Sequence, residues 1–119
     1  MLTIEKLRAY GANVDEGLGR CMNNEAFYLR LVNMAVGDAG FERLYTALKQ
    51  GDRKEGFEAA HALKGMLGNL SLTPLSKPAS DLTELLRAET ATGTETDCHV
   101  LMEEILRQRE KLLQLSDEA

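Results

Sequence analysis

The stretch RKEGFEAAHALKGMLGNLSL, residues 53–72, runs without a proline, and Phe57, Ala60, Leu63, Leu67 and Leu70 recur in it at the three- and four-residue steps of an α-helix. Asp52 stands before it as a candidate N-cap. At about 100° per residue, Ala60, Leu63, Met66, Leu67 and Leu70 share one broad arc that must face a core. His61, Lys64, Gly65 and Gly68 gather on the opposite arc. A helix with one apolar face must bury it against other elements, so the remaining chain is read for what covers it.

Downstream, Thr73 and Pro74 stop this helix and start the next, with Thr73 as N-cap and Pro74 at the tolerated first position. Leu75, Leu82, Leu85 and Leu86 give that helix its stripe, and Pro78 must be absorbed near its start. Residues Ala91–Thr96 have little to bury and read as a loop. Val100, Leu101, Ile105, Leu112 and Leu115 then mark a last amphipathic helix running nearly to the end.

Upstream, Phe41, Leu44, Tyr45 and Leu48 carry the helical period up to Gly51, and Gly37, Asp38 and Gly40 separate this piece from EAFYLRLVNMAV. In the latter, Asn23 and Asn24 offer an N-cap, and Phe27, Leu31 and Met34, with Tyr28 beside them, recur at helical spacing. Two short helices precede it, Leu2–Tyr10 ended by Gly11 and a second piece over Val14–Met22. Amphipathic helices joined by short turns are expected to form an all-α, antiparallel four-helix bundle, with the short N-terminal helices added at one end.

The 119 residues suit one domain over 1–119, which can bury roughly two-thirds of the surface its unfolded chain exposes. A formal net charge of -5, with bases interspersed among acids, disfavours nucleic-acid binding. No apolar run approaches the ~20 residues that cross a bilayer, and the N-terminus lacks a signal-peptide apolar stretch, so the expected location is the cytoplasm. Cys21 and Cys98 are not spaced for zinc or redox chemistry and are expected to be free, reduced thiols. His61 and His99 are the only imidazoles, which disfavours a metal site. His99 lies near a helix start and reads as a surface or edge residue.

The outward arc of residues 53–72 holds the chemistry. Glycine inside a helix costs roughly 1 kcal/mol relative to alanine, and keeping Gly65 and Gly68 on the histidine's own face leaves room for a molecule approaching the imidazole. Lys64 sits one turn from His61, within side-chain reach. A neutral imidazole is a nucleophile, and a neighbouring ammonium stabilises the negative charge of a phosphoryl group placed on it. Asn69 projects between the core and the His61 face, and Phe57 lies nearer the His61 side than the core centre. Asn69 reads equally as a local hydrogen-bonding residue or a docking residue, and Phe57 as a core-edge residue or part of an apolar patch for a partner.

His61, Ala62, Leu63, Lys64 and Gly65, followed by Met66, Leu67, Gly68 and Asn69, resemble the motif of the histidine-containing phosphotransfer (HPt) domains of two-component phosphorelays. The resemblance extends to DEGLGRCMNNEAFYLRLV upstream and to the LTPL…LTELLR helix downstream. It implies a four-helix bundle with the phosphoacceptor exposed midway along one helix, His61 as the phosphorylated residue, Lys64 as its positive neighbour, and Gly65 and Gly68 as access positions. The implied partners are a sensor histidine kinase and the aspartate of a response-regulator receiver domain, which brings its own Mg²⁺. Met66 and Leu67 depart from the small residues common at these positions, and both are expected to point towards the core.

No Gly-rich nucleotide loop or kinase domain accompanies the motif. The expectation is a cofactor-free, monomeric phosphocarrier, not an enzyme, that relays a phosphoryl group through His61. Its rival is an adaptor or inhibitor that binds a receiver or kinase without being phosphorylated.

Overall fold

The computed structural model describes residues 1–87 and 95–118. Among them are seven helices, α1 (Ile4–Tyr10), α2 (Val14–Arg20), α3 (Glu25–Val36), α4 (Gly40–Lys49), α5 (Arg53–Asn69), α6 (Thr73–Arg87) and α7 (Glu95–Asp117). Helix α5 packs against α4 and α6, α6 against α7, and α7 closes back onto α4. These four make the expected bundle, in a molecule extending 43 × 26 × 20 Å. Three-residue connections at 50–52 and 70–72 force α4, α5 and α6 to run antiparallel.

Local chemistry sets most boundaries. The side chains of Thr3, Asn13, Asn24 and Asp52 each accept a backbone N–H three residues on, capping α1, α2, α3 and α5. Gly11 ends α1 in the left-handed region at φ 110°. Helix α2 stops at Arg20, short of Met22, because Met22 and Asn23 both take positive φ and turn the chain into α3. Helix α6 begins at Thr73, with the Leu72 carbonyl accepting from the Ser76 N–H, so Leu72 occupies the cap position expected of Thr73. Pro74 still falls in the first turn, where its missing N–H costs nothing. Pro78 is buried inside α6. Of the loop expected over Ala91–Thr96, positions 91–94 lie outside the described residues, and 95–96 open α7.

The core comprises Phe41 and Leu44 from α4, Ala60, Leu63 and Leu67 from α5, Leu75 and Leu82 from α6, and Ile105 and Leu112 from α7. Tyr45 and Val100, expected on apolar stripes, are exposed. Helix α3 departs further from expectation. Its buried face is Tyr28, Val32, Ala35 and Val36, whereas Phe27 and Leu31 are half-buried and Met34 is 65% exposed. Both stripes have helical spacing, and the tertiary partners of Tyr28 select between them. Cys21 and Cys98 are buried and form no disulfide.

Arg109 of α7 ties the α3–α4 junction to the bundle. Its Nε donates to the Val36 carbonyl at 2.8 Å, its Nη1 meets Glu42 Oε1 at 3.0 Å, and its guanidinium lies 4.6 Å from the Phe41 ring centroid. A hydrogen bond from its own backbone N–H, and then Arg109, hold the Glu42 carboxyl below the usual carboxylate range. A carboxyl with a depressed folded pKa contributes stability above its unfolded value and loses it as pH falls through the folded value. The thermal midpoint should therefore fall between about pH 5 and about pH 3. Arg109→Ala should reduce that slope and, by stripping the Val36 carbonyl of its donor, cost about 1–3 kcal/mol at neutral pH. Thermal melts of both chains across this range check the prediction, and an unchanged slope would remove Arg109 as its cause.

Candidate functional site

Asp52 starts α5 and the period of its apolar residues fixes its rotation, so the residues opposite the core are set by the sequence itself. His61 stands midway along the helix and is exposed, Lys64 is half-buried one turn on, and Gly65 is exposed beyond it. A Cβ built on Gly65 or Gly68 meets nothing within 4 Å. Neither glycine is required by contacts inside the protein, and both keep the surface low in front of the imidazole. Gly40 is different: a Cβ there would lie 3.1 Å from Leu63 Cδ2, a tight contact where α4 approaches α5.

Phe57 is half-buried and its ring stacks on the His61 imidazole, with centroids 5.7 Å apart and planes inclined by 14°. The stack restricts the imidazole on one side while its edge remains in solvent. Helix α6 supplies the neighbouring charges. Glu84 Oε1 lies 3.9 Å from Lys64 Nζ, its Oε2 lies 3.4 Å from Arg87 Nε, and the Arg87 guanidinium sits 5.2 Å from the Phe57 ring centroid. The sequence reading missed Glu84 and Arg87, which have no spacing relation to His61 and come beside Lys64 and Phe57 only through the antiparallel register of α5 and α6.

Asn69 is exposed at the end of α5, on the side away from α6, where it lines a groove with Leu31, Met34, Ala35, Asp38 and Met66. Leu67 is fully buried as expected, but Met66 is only half-buried at the rim of that groove. Helix α5 ends at Asn69, three residues before the expected end, because Ser71 takes φ 57°. Long-range partners hold it there: its hydroxyl donates to Glu16 at 2.8 Å and accepts from Arg20 at 3.0 Å, and its carbonyl accepts from the Asn13 N–H at 2.9 Å. Arg20 also donates to the Gly68 carbonyl at 2.8 Å, so α2 secures the end of the helix that bears the site.

A nucleophilic imidazole, a cation one turn away and an unobstructed approach therefore share one surface. The family model described as the Hpt domain matches residues 37–118, which takes in all of α4–α7. The chain belongs to the Hpt domain family. Hpt domains serve phosphotransfer in two-component signalling, as phosphocarriers that meet kinases and receiver domains. The match begins at Gly37, so α1–α3 lie before it. No match was found among curated proteins or among solved structures. Among the described residues no helix is long and apolar enough to cross a membrane, and no three His, Cys, Asp or Glu side chains are grouped to hold a metal ion. His99 is exposed near the start of α7, away from the Lys64 and glycine context of His61.

Proposed function

We propose that this Hpt domain accepts a phosphoryl group on His61 and passes it on, relaying phosphate between a sensor kinase and receiver aspartates. The observation that carries the reading is the exposed His61 with Lys64 one turn away and open space over Gly65 and Gly68. In the accepting step, an imidazole nitrogen forms the bond to phosphorus as the bond to the donor aspartate oxygen breaks and its carboxylate leaves. The proton lost from the imidazole passes to solvent. The reverse step regenerates the neutral ring.

Phosphoryl transfer asks mainly for positioning and charge stabilisation. Lys64 offers charge on the His61 face, Phe57 orients the ring, and the receiver supplies Mg²⁺ and the acceptor carboxylate. Phe57, Gly65, Gly68 and Asn69 form the surface on which the partner lands, and the carrier works in the cytoplasm as a monomer.

The testing experiment incubates the purified chain with a phosphorylated receiver or kinase and follows the label. Label that is acid-labile and alkali-stable is expected, as for phosphohistidine; no transfer from a donor shown to bind would favour the adaptor instead. A second test addresses access. Gly68→Gln places a long side chain in open space, so the fold should hold while transfer slows by about tenfold or more, since a small misplacement of reacting groups is costly. Gly68→Ala should transfer at nearly the parent rate, and parent-like transfer by Gly68→Gln would refute the access argument.

A further inference from the structure

Four side chains on α5 and α6 form a connected arrangement that meets His61 through Phe57. Phe57 stacks on the imidazole, Arg87 lies over Phe57, and Glu84 reaches both Arg87 and Lys64. One carboxylate thus engages both Lys64, one turn along the helix from the histidine, and Arg87, which lies over the ring stacked on it. A phosphoryl group on His61 brings more than one negative charge and three acceptor oxygens to the same place. It and Glu84 then compete for the same cations.

We infer that Glu84 is the resident counter-anion of Lys64 and Arg87, displaced when a phosphoryl group arrives on His61, and that it thereby sets how readily His61 is phosphorylated. This rests on the reading of His61 as the phosphoacceptor. Glu84 acts through the two cations and is a positioning residue: it keeps their side chains beside the site while it is empty, and it weakens their hold on phosphate. The side chains of Glu84, Arg87 and Lys64 are 58%, 53% and 37% exposed. Ion pairs this exposed are weak, so exchanging Glu84 for phosphate is easy and the effect is a few-fold change.

A small donor removes the partner from the test. With phosphoramidate, the phosphorus–nitrogen bond of the donor breaks, the bond to the imidazole nitrogen forms, and the imidazole proton leaves with the departing ammonia. The full chain is incubated with phosphoramidate and the phosphorylation of His61 is timed by ³¹P NMR and intact mass. The parent is compared with Glu84→Gln, with Lys64→Met/Arg87→Met, and with the combination of all three substitutions.

Glu84→Gln should raise the rate about threefold, as loss of a weak competing ion pair predicts. The gain should shrink as salt is raised from about 0.1 M to about 1 M. In the background lacking both cations, Glu84→Gln should give no gain. An equal gain in both backgrounds would mean that Glu84 merely repels the anionic donor, and would overturn the inference, as would an unchanged rate in the parent background. Absence of any phosphorylation of His61 in the parent would instead overturn the phosphoacceptor reading, and the role of Glu84 with it.

Discussion

His61→Gln takes up no acid-labile, alkali-stable label from a phosphorylated donor under conditions in which the parent chain is labelled. Glutamine fills a similar volume and hydrogen-bonds with water, but its amide nitrogen is not a nucleophile for phosphorus. The side chain is exposed, and an exposed substitution without buried partners typically changes stability by no more than about 0.5 kcal/mol. The thermal midpoint should stay within about 3 °C of the parent. Binding to the donor should also persist, because the surface at Gly65, Gly68 and Asn69 is untouched. Loss of label with retained fold and binding separates chemistry from docking. If the variant were labelled like the parent, the acceptor would lie elsewhere, with His99 the other imidazole to examine; full signalling by the variant would end the relay reading.

The faces of α5 were legible in the sequence because its apolar residues repeat without interruption and its start is marked by Asp52. Rotation follows from those two facts, and with it the common face of His61, Lys64, Gly65 and Gly68. The stacking partner Phe57 was legible for the same reason, since it lies one turn before His61. Local rules were not enough where a partner distant in the chain decides the conformation. Ser71 has no intrinsic preference for the left-handed region, yet Glu16, Arg20 and Asn13 hold it there and end α5 before Leu70 and Leu72 can continue its pattern. The two candidate stripes of α3 differ by one position, and the larger residues Phe27, Leu31 and Met34 suggested the wrong one. Glu84 and Arg87 read as part of a solvated face of α6, which they are. Their relation to His61 exists only once α5 and α6 are paired.

Tyr28 is where that long-range information is concentrated, and its removal has the largest expected effect on stability. The ring is fully buried, and its hydroxyl donates to the Leu70 carbonyl at 2.8 Å, joining α3 to the C-terminal cap of α5. Burial raises the pKa of the phenol, so it remains a donor across the physiological range. The fit is close enough that Gly17 must be glycine, since a Cβ there would lie 2.6 Å from Tyr28 Cε1. Tyr28→Ala should cost about 3–5 kcal/mol through the cavity left by the ring, with the loss of the Leu70 partner added to it. Tyr28→Phe, which keeps the ring, should cost about 1–3 kcal/mol, and Gly17→Ala a similar amount by overpacking. The costs of Gly17→Ala and Tyr28→Ala should not add when combined, because the new methyl group no longer meets a ring. Thermal and denaturant unfolding of the four variants measures all of this. Full additivity would show that Gly17 and Tyr28 act independently, and a parent-like midpoint for Tyr28→Ala would show that α3 does not anchor the end of α5. The expected result instead makes the segment before Gly37 a structural support for the surface at Gly68 and Asn69, although it lies before the matched family region.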